Sequence, residues 1–468
     1  MTSDNERALT IAIIGGGFSG TMTAVQLMRK TLSHPLKVLL IERNDRIAKG
    51  VAYGTMCPLH LLNVPAKDMS AFPDESQHFF KWAKDHDPSV TEATFVPRMR
   101  YGAYIEDILN ETLSHKAANI EFRRVHGEVQ SIHITRDGTQ GKIQFANGEV
   151  IADRIVLALG NLAPANVRIK DPNFYNSPNY VRDSWSKATL PPIANDAPIL
   201  LIGTGLTMID KALELKLLGH KGTIYALSRH GYLPNVHIPG IARLPMPFEP
   251  TKLPKTVLSL TKQIRKLVKD VEKDANWRQA VDSIRPVTQE LWQLWNDSEK
   301  KRFIRHMRCI WDVHRHRIAP EVGAMIETMV KAGQLKLIAA RVVSIAENAS
   351  DIKVTIRPRG KGEEETLSVK RVINCTGADS NIKTIDEPLV EQLRNEGLLL
   401  SDNFGLGPNI TNNWSLIDKQ GKPSNVLYVV GPLLKGQLWE SIAVPELRTQ
   451  AAQLADHLIT SKEPVLTS

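Results

Sequence analysis

Leu9 to Ile14 is a short apolar run of β type, ended by Gly15-x-Gly17-x-x-Gly20 and followed by a helix-compatible segment, Thr21 to Arg29. This strand, glycine turn and helix constrain the fold more than any other feature of the chain. The first Gly permits a tight turn, the second lets backbone approach a pyrophosphate, and the third lets helix pack on strand. A helix starting there offers free N–H donors and the positive end of its dipole to an anion. A second apolar run, Lys37 to Ile41, ends in Glu42, 22 residues beyond Gly20. That is close to the spacing at which an acid meets a ribose, so the βαβ unit predicts a dinucleotide site. The plainer alternative for Glu42 is a solvated acid at a strand end.

The pattern then recurs. Pro198 to Ile202 reads as a strand, Gly203-Thr204-Gly205 as the turn, Leu206 to Leu218 as a helix, and Thr223 to Leu227 as the next strand. Met208 stands where a third Gly or Ala is usual, so this helix is expected to pack less closely. Arg229 lies 26 residues after Gly203, against 27 from Gly15 to Glu42. An acid accepts from ribose hydroxyls whereas Arg complements a 2′-phosphate, so this half is expected to take NADPH, with NADH the alternative. A surface Arg at a strand end is the bland reading. Two dinucleotides on one chain make chemical sense as a bound flavin and the nicotinamide that reduces it.

The chain has 468 residues, room for two or three domains. A further apolar run, Arg154 to Leu159, ends in Gly160-Asn161. Between 246 and 333 the strand signals fade, Val257, Leu260, Ile264, Val268 and Val271 recur at helical spacing, and Trp277, Trp292, Trp295 and Trp311 cluster. Such a Trp-rich segment is either a substrate-capping domain or a small core. Strand-like segments return at 341–345, 352–356, 369–375 and 426–430, and 445–458 reads as a helix. The expected architecture is α/β, with two Rossmann-like dinucleotide-binding domains and a helical insertion. The first domain is discontinuous, 1–165 with 365–468; the second holds 195–245 and 318–360; the insertion is 246–317.

Only three cysteines occur, Cys57, Cys309 and Cys375, never as C-x-x-C, so no disulfide framework, zinc ribbon or dithiol motif is written here. The opening MTSDNERALT lacks the order of a signal peptide, and no apolar run reaches the roughly 18 residues of a membrane helix. A cytoplasmic protein without a membrane contact is the expectation. The net charge is +9, but 16 Lys or Arg against 8 Asp or Glu fall between 251 and 317. Those interleaved acids and the lack of an RNA-binding motif argue against nucleic acid. Oligomeric state is not legible.

Several segments carry a resemblance: IAIIGGGFSG at 11–20, HLLNVPAKDMSAFP at 60–73, VLALGN at 156–161, LLIGTGLTMID at 200–210, ALSRHGYLP at 226–234, WDVHRHRIAP at 311–320, VINCTG at 372–377 and GPLLKGQLWESIAVPELRTQA at 431–451. Over nearly its whole length the chain resembles the two-dinucleotide-binding flavoproteins, and specifically the bacterial FAD/NAD(P)-binding protein family. That resemblance implies FAD at the first site, with Gly15, Gly17, Phe18, Ser19 and Gly20 at the pyrophosphate, Glu42 and Arg43 at the adenosine end, and Val129 near the adenine. It places Asn63, Met69 and Ser70 beside the isoalloxazine, with Asn63 and Met69 the candidates nearest the chemistry and no catalytic side chain assigned. VLALGN and VINCTG resemble the elements where chain crosses between the two domains, which brings Gly160 and Gly377 to the cofactors; Leu159 replaces the usual Thr. Gly431 would approach the flavin, and Gly203, Gly205, Leu206, Thr207, Ser228 and Arg229 would hold the nicotinamide nucleotide.

Without a cysteine pair, the electron acceptor is not an internal disulfide. Flavoproteins of this layout with a helical insertion resemble class B monooxygenases, including N-hydroxylating ones, which implies molecular oxygen and a small nucleophilic substrate. The F-x-G-x-x-x-H fingerprint of the Baeyer–Villiger and flavin-monooxygenase groups is absent between the two glycine turns. An NAD(P)H dehydrogenase or oxidase, and a flavin-containing binding or regulatory protein, stay as alternatives. His314, Arg315, His316 and Arg317 lack further ligands at metal spacing, so no metal is expected. They, with Trp439, are candidates for an anion or substrate site; a helix-end cluster tying the insertion to a nucleotide domain is the equal alternative.

Overall fold

The computed structural model describes residues 7–186, 190–241, 244–271 and 277–460. The first six residues of the opening MTSDNERALT, and the last eight of the segment 365–468, lie outside them.

Sheet one runs, edge to edge, Ser415–Ile417, Pro423–Val429, Arg154–Leu157, Leu9–Ile14, Leu36–Glu42 and Ile120–His126. Its pairs are parallel except the first. Alternation along Leu9–Ile14 explains why this strand is apolar throughout: Ile11 and Ile13 enter one buried cluster, Ala12 and Ile14 the cluster on the opposite face. The helices Phe18–Met28, Arg98–His115 and Val444–Thr460 cover the first face. A three-stranded antiparallel meander, Val129–Ile134, Gly141–Phe145 and Gly148–Ala152, covers part of the other with the helix Pro388–Glu396.

Sheet two runs Glu365–Val369, Ile352–Pro358, Leu335–Glu347, Ile224–Ser228, Ile199–Ile202, Arg371–Asn374 and Tyr180–Val181. The expected boundary at 365 is therefore corrected: 365–374 belong to the second unit, because Arg371–Asn374 pairs in parallel with Ile199–Ile202. The chain crosses to the second unit after Leu157 and returns after Asn374, and Leu162 bridges Asp379 where the two crossings meet. Helices Leu206–Leu217 and Pro320–Lys331 pack on this sheet.

Between the units' segments lies the helical insertion, with Val257–Val271, Trp277–Asp282, Thr288–Leu294, Asp297–Arg302 and Arg308–Arg315. Its tryptophans form a core: Leu260, Leu291, Trp292, Trp295 and Phe303 are buried together, and Leu406 and Trp439 from the C-terminal segment complete it. Trp292 donates its indole N–H to the Gly436 carbonyl at 2.8 Å, which fixes the insertion to that segment. Among the described residues no helix is long and apolar enough to cross a membrane.

Candidate functional site

The two glycine turns are built alike. Gly15 has φ +109°, and a Cβ there would stand 2.2 Å from the Ala158 carbonyl oxygen; Gly203 has φ +122°, and its Cβ would stand 2.3 Å from that of Cys375. Each turn is thus pressed against its own crossing segment, VLALGN for the first and VINCTG for the second. A Cβ on Gly20 would lie 1.9 Å from the Gly15 carbonyl oxygen, the physical reason for a third Gly in the first turn. At the matching place in the second turn Met208 is fully buried in the sheet-two core.

Gly17 and Gly205 are the N-caps of helices Phe18–Met28 and Leu206–Leu217, and neither helix has a side-chain cap or an acid in its first turn. Their orphan N–H donors are left for an anion. Nothing lies within 4 Å of the place a Gly205 Cβ would take, so backbone there stays approachable. These features fit a dinucleotide pyrophosphate at each turn. Phe18 and Ser19 are buried at the first turn, and Gly431, at φ +96°, comes so close that its Cβ would stand 2.9 Å from Ser19 Oγ.

Glu42 accepts hydrogen bonds from the Gly16 N–H at 2.7 Å and from the Asn44 backbone N–H at 2.9 Å. Its carboxylate therefore shapes the first turn as well as standing at the predicted ribose position, and its remaining lone pairs suit ribose hydroxyls. Gly127 donates to the Glu42 carbonyl, which brings the start of Val129–Ile134, with Val129 buried, to the same end of the sheet. Arg43 is exposed and pairs with Glu128 and Glu387, both at 3.1 Å, which raises its pKa against the effect of burial.

Asn63 is held from the second unit: His237 Nε2 donates to its carbonyl at 3.0 Å. Burial, with Arg317 adding to it, pushes the His237 imidazole down to about 4, so it stays neutral. Met69 and Ser70 are buried, and Arg448 from the C-terminal helix donates to the Ser70 carbonyl at 2.7 Å. Gly160 and Gly377 have φ of +68° and +90° with open space where a Cβ would be.

At the second turn, Thr204 Oγ1 bonds Ser228 Oγ at 2.8 Å and donates to the Tyr232 carbonyl at 2.6 Å, fastening the loop that carries Arg229. Sequence reasoning found Arg229 but missed its companions. Arg359 donates to His230 Nδ1 at 3.1 Å, and burial together with Arg359, Arg229 and Arg341 lowers the His230 pKa. Arg341 and Arg359 arrive on the two neighbouring antiparallel strands and the turn after them, 112 and 130 residues beyond Arg229. No local pattern signals such a cluster.

Of the two readings of 314–317, an anion site and a helix-end tie, the contacts made there favour the tie. Arg315 is buried against Glu440 at 3.0 Å, and Arg317 bonds Asp282, so both guanidiniums are matched by carboxylates. Burial lowers the His316 pKa, while His314 Nδ1 bonds the Ile310 carbonyl of its own helix. The group ties the insertion to the C-terminal segment. Trp439 is buried, stacked on Trp292 at 4.8 Å, and its indole N–H finds no acceptor among the described residues.

Residues 12–162 match the family model described as FAD-NAD(P)-binding. The chain carries an FAD/NAD(P)-binding domain. No curated protein sequence matches it. Among solved structures, it is similar to the ornithine hydroxylase of Pseudomonas aeruginosa at 15% identity and TM-score 0.62, covering 97% of this chain and 99% of that one. It is similar to the cadaverine monooxygenase of the desferrioxamine biosynthetic pathway from Erwinia amylovora, whose structure has FAD bound, at 11% identity and TM-score 0.61, covering 98% and 96%. It is also similar to a bacillithiol disulfide reductase of Staphylococcus aureus at 14% identity and TM-score 0.56, covering 98% and 99%. The likeness shows a fold shared along almost the whole chain.

Proposed function

We propose that the protein is an FAD-dependent, NADPH-using oxidoreductase of the class B monooxygenase kind, acting with molecular oxygen on a small substrate that carries a nucleophilic nitrogen or sulfur. One observation carries the two-cofactor part of this reading: two uncapped glycine-turn helices stand at equivalent places in two linked sheets, and the loop beside the second carries arginines, Arg229, Arg341 and Arg359, that have no ion pair among the described residues. The oxygen-transfer part draws support from a fold shared along its whole length with ornithine and cadaverine hydroxylating enzymes. It also draws support from the cysteines, all three free.

When bound, the flavin and nicotinamide supply hydride transfer and oxygen activation. The chain's residues do the rest. The N–H groups from Gly17 to Ser19 bind one pyrophosphate, and Glu42 orients the adenosine ribose. Gly205 and the start of Leu206–Leu217, with Leu206 and Thr207, bind the other pyrophosphate, while Arg229, Arg341, Arg359 and His230 hold a 2′-phosphate. Because Arg359 donates to Nδ1, His230 is neutral with its proton on Nε2, a donor for a phosphate oxygen. Met69, Ser70 and the Gly431 turn exclude water from the region between the sites.

The deciding experiment reduces the purified yellow protein anaerobically with NADPH and then admits oxygen in the presence of an amine and thiol panel. Bleaching by NADPH followed by oxygen uptake matched to hydroxylated product is the expected result. Bleaching with peroxide and no product would make it an oxidase or dehydrogenase. No bleaching by NADPH or NADH would make it a binding protein.

A further inference from the structure

The outer face of the helix Val257–Val271 carries charge that has no counterpart among the described residues. Leu258, Lys262, Arg265, Lys266 and Lys269 stand at i, i+4, i+7, i+8 and i+11, which puts them on one side of the helix, and all five are exposed. On the other side Val257 and Leu260 are buried in the insertion's core, with Ile264 packed against it. The stripe from Lys262 to Lys269 runs about 10 Å along the axis. None of its four cations has an ion pair or a side-chain hydrogen bond among the described residues.

The acids of the insertion are engaged elsewhere. Asp282 bonds Arg317, Glu299 bonds Arg302 and accepts from the Val257 N–H at 2.7 Å, and Asp312 faces Arg308 at 3.6 Å. Asp270 is the one acid in the helix itself, and no ion pair joins it to the stripe among the described residues. Part of the insertion's basic excess, 16 Lys or Arg against 8 Asp or Glu between 251 and 317, is thereby concentrated on this face. The arrangement works against the helix. Lys262 with Lys266 and Arg265 with Lys269 are like charges at i, i+4; Lys262 with Arg265 and Lys266 with Lys269 are like charges at i, i+3. Equal charges at these spacings destabilise a helix, and only Lys269, in the last turn, gains from the helix dipole.

We propose that this stripe is a docking face for an acidic surface of a partner protein, with Leu258 as the apolar contact at its end. Carboxylates set against the stripe turn mutually repelling neighbours into ion pairs, and complementary charge of this kind steers and orients protein association. The chemistry of the face favours a protein over other polyanions. An interfacial membrane helix sinks its apolar side into lipid, and here that side is taken by the insertion's core. Single-stranded nucleic acid is held by aromatic rings on which bases stack, and this face carries none. The docking face goes beyond the oxidoreductase reading and does not depend on the reaction at the nucleotide sites.

The test measures binding of a short fluorescein-labelled poly-L-glutamate to the full-length protein by fluorescence anisotropy at near-physiological salt. The stripe variant is Lys262→Gln/Arg265→Gln/Lys266→Gln/Lys269→Gln. A control of equal net charge, Lys221→Gln/Lys336→Gln/Lys383→Gln/Lys422→Gln, changes four lysines exposed elsewhere. Wild type and control are expected to bind poly-L-glutamate alike, and the stripe variant at least tenfold more weakly. The thermal midpoint of the stripe variant is expected to match that of the wild type or exceed it, because repulsion within the helix has been removed. Equal loss of binding in both variants would reduce the effect to net charge and overturn the proposal. So would binding that survives in the stripe variant, no binding by the wild type, or a stripe variant that melts several degrees lower, since the cations would then serve the fold. Tenfold tighter binding of an oligouridylate of equal length, or of phosphatidylserine vesicles, with the same dependence on the stripe, would overturn it in favour of a nucleic acid or a membrane.

Discussion

Arg98 and Asp210 meet at 2.7 Å in a part-buried salt bridge that joins the helix Arg98–His115 of the first unit to the helix that follows the second glycine turn. His60 Nε2 donates to the Asp210 carbonyl at 3.0 Å in the same junction, so one residue of the nucleotide helix is held twice from the first unit. The relative placement of the two cofactor sites depends on this junction.

Removing one member of that pair leaves the other largely shielded from water without its partner, at a cost of about 1–3 kcal/mol. Arg98→Met and Asp210→Leu are each expected to lower the thermal midpoint by several degrees. The double variant is expected to recover part of the loss, because neither charge is then left unpaired. Differential scanning calorimetry of the four proteins checks this.

Gly205→Ala separates binding from folding. Its φ of −84° suits Ala and its Cβ meets nothing, so the thermal midpoint should stay within about 1 °C, a surface-level change. The same methyl would intrude on a phosphate, and KM for NADPH is expected to rise tenfold or more. Gly20→Ala is the contrast: its Cβ would collide with the Gly15 carbonyl, and the protein is expected to lose FAD and much of its stability. FAD content and steady-state kinetics of both variants decide the matter.

Arg359→Ala and Arg341→Ala remove charge-assisted contacts to a 2′-phosphate, each worth roughly 1.5–3 kcal/mol. A fall of about ten- to a hundredfold in kcat/KM for NADPH is expected, with NADH changed less than threefold. Equal losses with both nucleotides would mean that these arginines do not read the 2′-phosphate.

His237 gives a pH dependence with a definite sign. Its pKa is about 4 in the fold, lowered first by burial and next by Arg317, against roughly 6.5 when unfolded. The neutral form is the one the fold favours, so this contribution is complete above pH 6.5 and is lost as pH falls from there toward 4. The loss is about 3 kcal/mol, at about 1.4 kcal/mol for each pH unit between the two values. Urea midpoints measured across that window should fall for the wild type and fall less for His237→Gln; parallel slopes would show that the imidazole does not titrate between the two states.

The βαβ units, both glycine turns, Glu42 and Arg229 were legible in the sequence because each rests on short-range geometry. A tight turn against a neighbouring strand tolerates no Cβ, and Gly15 against Ala158 and Gly203 against Cys375 show that constraint directly. The Trp-rich stretch was equally legible as helical. Which of its two roles the tryptophans played was not, since periodicity gives a buried face without naming what covers it; Leu406 and Trp439 turned out to complete a core.

Tertiary structure decided what depends on distant pairing. The strand Arg371–Asn374 joined the second sheet because it fits beside Ile199–Ile202, a choice that apolar composition alone does not make. Of the two readings of Arg315 and Arg317, their pairing with Glu440 and Asp282 favours the tie, while Arg341 and Arg359, silent in the sequence, have no ion pair among the described residues. Local chain stereochemistry determines where a turn or helix begins. Which charges remain uncompensated is set by segments brought together from far along the chain, and that balance exists only once the fold has closed.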